Sequence, residues 1–306
     1  MEDIMIIGGG TAGLTAAIYA ARAGKTVRVI ERATFGGQIT SSPRVENYPG
    51  FVAVSGNEFA EKLLDQVLAL DVETSFCEVN AIEKKGGYFT VRTDDGDFDA
   101  RAVILATGAR HRALGLRNEE ELVGAGVSYC AVCDGSFYRG KNVAVVGGGS
   151  AALQQTLYLA GVANKVTLIH RRAEFRGETR LAALLQSTPN AVIMTDTVVT
   201  ELTADGDGLT AIVLKNVLTD EASTLPVDGL FIAVGQVADN EPFRSLVKTD
   251  DSGFILAGED CLTSCEGVFA AGDCRVKTVR QLTTAAGDGA VAATAAAAYV
   301  DGLRRG

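Results

Sequence analysis

The chain has 306 residues, of which 47% are apolar and 35 are glycine, and its formal net charge is −10. That length accommodates two domains with full cores, and the glycine content suits an α/β protein with many tight strand-to-helix turns. The acidic balance argues against nucleic acid or an anionic membrane surface as the main partner. No apolar segment is long enough to span a bilayer, and Met1-Glu2-Asp3 is acidic where an export signal would be basic, so the expected location is the cytoplasm.

Asp3 to Ile7 is an apolar run, read as a buried strand, and Gly8-Gly9-Gly10-Thr11-Ala12-Gly13 follows it. A helical pattern then runs to Ala23, and Thr26 to Ile30 form a second strand with Glu31 at its tip. This is a G-x-G-x-x-G fingerprint inside a strand–turn–helix–strand unit. Gly8 makes the tight turn, Gly10 lets the backbone approach a pyrophosphate, and Gly13 lets the helix lie close to the sheet. The helix N-terminus faces the phosphates, and Glu31 accepts hydrogen bonds from a ribose. The loops Phe35-Gly36-Gly37-Gln38-Ile39 and Glu46-Asn47-Tyr48-Pro49-Gly50 come next, then an amphipathic helix over Phe59 to Leu70. Val72 to Asp99 reads as a β-meander and Ala102 to Ala106 as an apolar strand. Arg110 to Gly126, polar and glycine-bearing, is placed as a domain hinge.

Cys130-Ala131-Val132-Cys133-Asp134 lies between this fingerprint and a second one. Thiols at this spacing can close a small disulfide ring, and the first cysteine of such a motif often has a lowered pKa. Asp134 can pass a proton to a leaving thiolate or take one from a thiol; the alternative role is a helix cap. In a reducing compartment such a pair is catalytic or metal-binding. A four-thiolate zinc site with Cys261 and Cys265 is the reading from another class. Otherwise Cys77, Cys261, Cys265 and Cys274 read as ordinary small core residues or surface thiols, Cys274 as a buried one.

The first pattern then recurs. Asn142 to Val146 is a strand, Gly147-Gly148-Gly149-Ser150-Ala151-Ala152 the turn, Leu153 to Ala160 a helix and Lys165 to Ile169 a strand. Each copy also ends in a similar strand, before Thr107-Gly108 and before Val234-Gly235, so one nucleotide-binding architecture is used twice. Where the first copy has Glu31, the second has His170-Arg171-Arg172, with Arg176 further on. Arginines there bind a 2′-phosphate bidentately, so the second site is expected to prefer NADPH to NADH; the bland alternative is a solvated basic face. Phe243 to Leu246 is read as closing the second domain. Gly267 to Asp273 is a strand ending in an acid, and a helix over Leu282 to Val300 returns the chain to the first domain.

These motifs together resemble the low-molecular-weight flavoprotein thioredoxin reductases nearly end to end. They are the glycine turn at Gly8, Gly-Gly-Gln at Gly36, Glu-Asn-Tyr-Pro-Gly at Glu46, Ala-Thr-Gly at Ala106, the Cys130 motif, His-Arg-Arg at His170, Ala-Gly-Asp at Ala271 and Arg-Gln at Arg280. The resemblance implies FAD on Gly8, Gly10, Gly13, Glu31, Gln38, Asn47, Asp273, Arg280 and Gln281. It implies NADPH on the Gly147, Gly149 and Ala152 turn with Arg171, Arg172 and Arg176. It further implies a redox disulfide Cys130–Cys133 with Asp134 as proton donor and acceptor, a homodimer, and thioredoxin or a similar small dithiol protein as substrate. The expected fold is α/β, with two Rossmann-like three-layer nucleotide-binding domains. The FAD domain is discontinuous, 1–113 and 246–306, and 114–245 form the NADPH domain carrying the cysteine pair. Departures from the family pattern at Ser150, Gln154, Gln155 and Ala238 are assigned to the second domain. They motivate a ferredoxin-fed relative as an alternative; a small-molecule dithiol oxidase is a second.

Overall fold

The computed structural model describes residues 1–305. The chain divides into two compact units, one formed by Met1–Arg110 with Val237–Gly306 and the other by His111–Gln236.

The first unit is built on a seven-stranded sheet. Its order is Glu73–Phe76, Val27–Glu31, Glu2–Ile7, Gly96–Leu105, Phe89–Thr93 and Val79–Lys84, with Val268–Ala270 also pairing with Gly96–Leu105. Glu2–Ile7 runs parallel to both its neighbours. Ile4 and Ile6 enter one hydrophobic cluster while Met5 and Ile7 enter the other. Burial on both faces explains why this strand is a continuous apolar run rather than an alternating one. One face is covered by the helices Thr11–Arg22 and Leu282–Arg305. They approach closely because the contact is made of small residues: Ala16, Ala17 and Ala20 meet Ala292, Ala293, Ala296 and Ala297. A Cβ on Gly289 would sit 2.3 Å from the Ala12 carbonyl oxygen.

Two expectations for this unit change. Only Val79–Lys84, Phe89–Thr93 and Gly96–Leu105 form the antiparallel meander, whereas Glu73–Phe76 extends the parallel sheet beside Val27–Glu31. Phe243 does not close the second domain. It is buried with Met5, Ile7, Val247 and Ile255 in the first unit's core, so the chain re-enters that unit at Val237 rather than at residue 246.

The second unit holds a five-stranded sheet in the order Ala191–Met194, Lys165–Ile169, Asn142–Val146, Gly229–Ile232, Val127–Ser128. All its pairings are parallel. Its first three strands, like Glu73–Phe76, Val27–Glu31 and Glu2–Ile7, run outward from a glycine-turn strand. The helix Ser150–Ala160 follows the glycine turn, and a three-stranded antiparallel sheet, Thr197–Asp205, Gly208–Asn216 and Ala222–Pro226, precedes Gly229–Ile232. Most of the expected hinge is structured loop of this unit. The buried Glu119 carboxylate accepts from the Leu114 and Leu116 N–H groups, at 3.0 and 3.1 Å, and from the Tyr129 hydroxyl at 3.0 Å. Among the described residues, no helix is long and apolar enough to cross a membrane.

Candidate redox and nucleotide-binding sites

In a parallel sheet the open positions for chemistry lie beyond the carboxyl ends of the strands. In the second unit two such ends carry motifs. Asn142–Val146 leads into Gly147, and Val127–Ser128 leads into the cysteine turn, with Gly229–Ile232 between them. Cys130 opens a one-turn helix, Ala131–Asp134, and is disulfide-bonded to Cys133, with an S–S distance of 2.08 Å. The Cys133 N–H points at the Cys130 sulfur, 3.2 Å away. Ala131 anchors the turn in the core beside Tyr138, Val145 and Leu153, while Cys133 is exposed and Cys130 half-buried. In this structure these two sulfurs of the four-thiolate zinc reading are bonded to each other.

Asp134 is held by the Ser128 hydroxyl, which donates to its Oδ2 at 2.6 Å. Burial pushes the carboxyl above its ordinary pKa, and the Ser128 hydrogen bond works against that rise. A carboxyl raised toward neutrality is better matched to giving and taking protons near thiols. Asp134 stands at the start of the short turn Gly135–Tyr138, but its side chain makes no capping hydrogen bond there. The helix-cap role is thus not the one it fills.

The second glycine turn repeats the geometry of the first. A Cβ on Gly147 would lie 2.4 Å from the Ala233 carbonyl oxygen, whereas one on Gly149 would meet nothing within 4 Å. The loop bearing the arginines folds onto this turn. The Arg176 and Gly177 N–H groups donate to the Gly148 carbonyl at 2.8 and 3.1 Å. The His170 ring is buried beneath the turn, so that a Cβ on Gly148 would fall 2.0 Å from it. Burial holds the His170 pKa below its ordinary value, and the Arg176, Arg172 and Arg171 charges add to that. Arg171, Arg172 and Arg176 are exposed, and none forms an ion pair among the described residues. Two of the departing residues have local work here. Ser150 Oγ accepts from the Glu178 N–H at 3.1 Å, and Gln155 Oε1 accepts from the Ala131 N–H at 3.2 Å, tying the helix to the cysteine turn. Ala238 is not in this unit; it is buried with Ala109 and Phe254 in the first.

In the first unit Gly8 has φ +108°, and a Cβ there would lie 2.3 Å from the Ala106 carbonyl oxygen. A Cβ on Gly13 would lie 1.9 Å from the Gly8 carbonyl oxygen, so no side chain fits between turn and helix. Gly10 is open: the nearest atom to a Cβ there would be the Gly36 carbonyl oxygen at 3.8 Å. Glu31 accepts from the Gly9 and Ala33 N–H groups, both at 2.7 Å, one on each oxygen, which fixes the carboxylate beside the turn. Gln38 donates to the Ala109 carbonyl. Asn47 Nδ2 donates to Gln281 Oε1 at 3.0 Å. Arg280 lies over the Phe254 ring at 4.4 Å and donates to the carbonyls of Asp273, Arg275 and Lys277.

Asp273 supplies the clearest sign of a missing partner. Its Oδ1 is buried with no hydrogen bond among the described residues, and burial pushes its pKa up. Buried polar atoms are almost always paired. Gly272, at φ +81°, brings this loop to the first turn of the helix Thr11–Arg22, where a Cβ would sit 2.7 Å from the Ala12 Cβ. An orphan carboxyl oxygen, an open Gly10 and an uncapped helix start form a cradle for a diphosphate and its hydroxyl-bearing neighbour. The residues present fit a flavin dinucleotide.

A family model described as pyridine nucleotide-disulphide oxidoreductase matches residues 2–289. The chain belongs to that family. It is 40% identical to thioredoxin reductase of Listeria innocua over 99% of this chain and 95% of the relative. It is 41% identical to that of Treponema pallidum over 99% and 98%. The crystal structure of thioredoxin reductase from Streptococcus pyogenes superposes with a TM-score of 0.94 at 39% identity, covering 99% of each chain. The relatives are thioredoxin reductases, and FAD and NADPH are the cofactors of this family.

Three polar residues have clear work in these sites, and of them the sequence marks only Gln155, as a departure from the family pattern. Ser128 and Gln155 hold the cysteine turn. Asp288 lies under the Gly272 loop, accepting from Gly272 N–H at 2.9 Å, Arg275 at 2.8 and 2.7 Å and Lys277 at 2.9 Å. Its only trace in the sequence is an acid within an otherwise alanine-rich helix.

Proposed function

We propose that this chain is an FAD-dependent NADPH:disulfide oxidoreductase that reduces the disulfide of thioredoxin or a similar small protein through Cys130 and Cys133. The observation that carries the reading is the disulfide and the second glycine turn standing at the carboxyl end of one parallel sheet. FAD, when bound by Gly8, Gly10, Gly13, Glu31, Gln38, Asn47, Asp273, Arg280 and Gln281, supplies the hydride-accepting chemistry that side chains lack. Gly147, Gly149 and Ala152 receive the NADPH diphosphate, and Arg171, Arg172 and Arg176 its 2′-phosphate.

The protein's own residues then carry thiol exchange. One thiolate of the reduced pair attacks a sulfur of the partner's disulfide; a mixed disulfide forms, and the partner's other sulfur leaves as thiolate and takes a proton. The second cysteine, deprotonated, attacks the mixed disulfide, closing Cys130–Cys133 and releasing the second partner thiolate, which is protonated in turn. Two electrons pass from the enzyme pair to the partner. Asp134 takes the proton from the enzyme thiol and returns one to a leaving thiolate. The working assembly under this reading is a homodimer in the cytoplasm.

The test is a comparison of NADPH, NADH and reduced ferredoxin as donors for thioredoxin reduction by the yellow holoprotein. NADPH is expected to support turnover and NADH to support it weakly. Turnover with ferredoxin alone would reject the donor. Oxygen uptake with a small dithiol and no NADPH would favour an oxidase instead.

A further inference from the structure

Ser128 is 3% exposed, on a strand whose neighbours Val127 and Phe231 are wholly buried. A hydroxyl at such a place is costly unless every polar atom finds a partner. Its partners are those of the redox turn. The Cys130 N–H donates to Ser128 Oγ at 3.1 Å, and the Ser128 O–H donates to Asp134 Oδ2 at 2.6 Å. The Cys130 carbonyl oxygen lies 3.5 Å from the same Oγ. A serine hydroxyl has one hydrogen and two acceptor sites. While Asp134 is ionised, that hydrogen goes to the carboxylate. When Asp134 holds a proton it becomes the donor to Oγ, and the serine hydrogen turns toward the Cys130 carbonyl.

We propose that Ser128 is a positioning residue for the exchange at Cys130–Cys133. Its hydroxyl fixes the Asp134 carboxyl against the first cysteine's amide and reverses its hydrogen bond each time Asp134 gains or loses a proton. Of the groups around Asp134, Tyr138 of the next turn feels its charge. Gln155 of the helix Ser150–Ala160 is taken up by the Ala131 N–H, and Tyr158 of that helix lies against Gly135. Tyr138 is pushed up to about 12, chiefly by burial, with Asp134 and Asp228 adding to the rise, and Lys141 lies over its ring. On the strand side Tyr129, raised by burial and by its hydrogen bond to Glu119, points its hydroxyl to Glu119 rather than to Asp134. Ser128 is thus the one hydrogen-bond donor to the Asp134 side chain among the described residues. Of its two directions, the bond donated to the carboxylate is charge-assisted and the stronger, so Ser128 favours the ionised form and sets the pH at which the proton moves.

The inference rests on the disulfide-reductase reading only for its turnover assay. The pH profile of kcat/KM for thioredoxin is measured in wild type, S128T and S128V, two variants of equal shape that differ in the hydroxyl, with D134N identifying the Asp134 inflection. S128T is expected to keep the wild-type inflection and S128V to move it up by about one pH unit. A rate lowered equally at all pH in S128V, with the inflection unmoved, would overturn the inference. The Asp134 carboxyl is also titrated by carbon NMR in the oxidised holoprotein of wild type and S128V. An unshifted titration overturns the inference whether or not thioredoxin is turned over, whereas a shifted titration in an enzyme inert to thioredoxin counts against the proposed substrate alone.

Discussion

Asp288→Asn tests how the first unit holds the loop that carries Asp273. The Asp288, Arg275 and Lys277 side chains are 9%, 3% and 6% exposed, and both cations meet on the one carboxylate. The asparagine keeps the shape and removes the charge. The other acid near Arg275 is Glu259, 3.9 Å away and almost fully exposed. Leaving buried charges without their partner costs roughly 3 to 5 kcal/mol. For a unit of this size that is about 10 °C in Tm. Burial alone would raise the Asp288 pKa, but the Arg275 and Lys277 hydrogen bonds outweigh it and hold the carboxyl below its ordinary value. The stabilisation is therefore complete above the ordinary carboxylate range and is lost as pH falls through the depressed value. Thermal melts of wild type and variant, followed by circular dichroism, should differ widely at neutral pH and converge in acid. The first unit's transition is the one that added FAD moves. A Tm change under about 2 °C at neutral pH, or a gap that does not close in acid, would refute the reasoning.

Asp134→Asn should lower thioredoxin turnover by roughly a hundredfold or more, the usual worth of a positioned acid–base group, while leaving the flavin spectrum unchanged; steady-state assays check both. Arg171→Ala with Arg176→Ala should raise the KM for NADPH about tenfold to a hundredfold and leave that for NADH nearly unchanged, which donor titrations would show. Gly13→Ala would place a methyl 1.9 Å from the Gly8 carbonyl oxygen. Backbone cannot yield there as a side chain can, so the protein should purify with little FAD, measured as flavin absorbance per chain.

The glycine turns were legible because their constraint is local. Gly8, Gly13 and Gly147 each face a backbone carbonyl within 2.4 Å of where a Cβ would be, and only glycine satisfies that. The Cys130 motif was legible because two thiols at that spacing reach each other within one helical turn. Two kinds of feature escaped. The assignment of Glu73–Phe76 depends on pairing with Val27–Glu31, far away in sequence, and its short, half-exposed strand looks the same in a meander or in a parallel sheet. The return point of the chain is not legible because Phe243 is apolar and suits either core; only its place in the cluster with Met5 and Ile7 decides. Ser128 and Asp288 are common residue types whose work is set by partners remote in sequence or across a turn, and no spacing announces them; Gln155 stood out only as a departure, without its bond to the cysteine turn.

The central claim is that electrons reach the partner through one pair of sulfurs. NADPH oxidation coupled to thioredoxin reduction, measured with flavin-loaded wild type, C130S and C133S, tests it most directly. Steady turnover in wild type and none in either serine variant is the expected result. Undiminished turnover in either variant would contradict it.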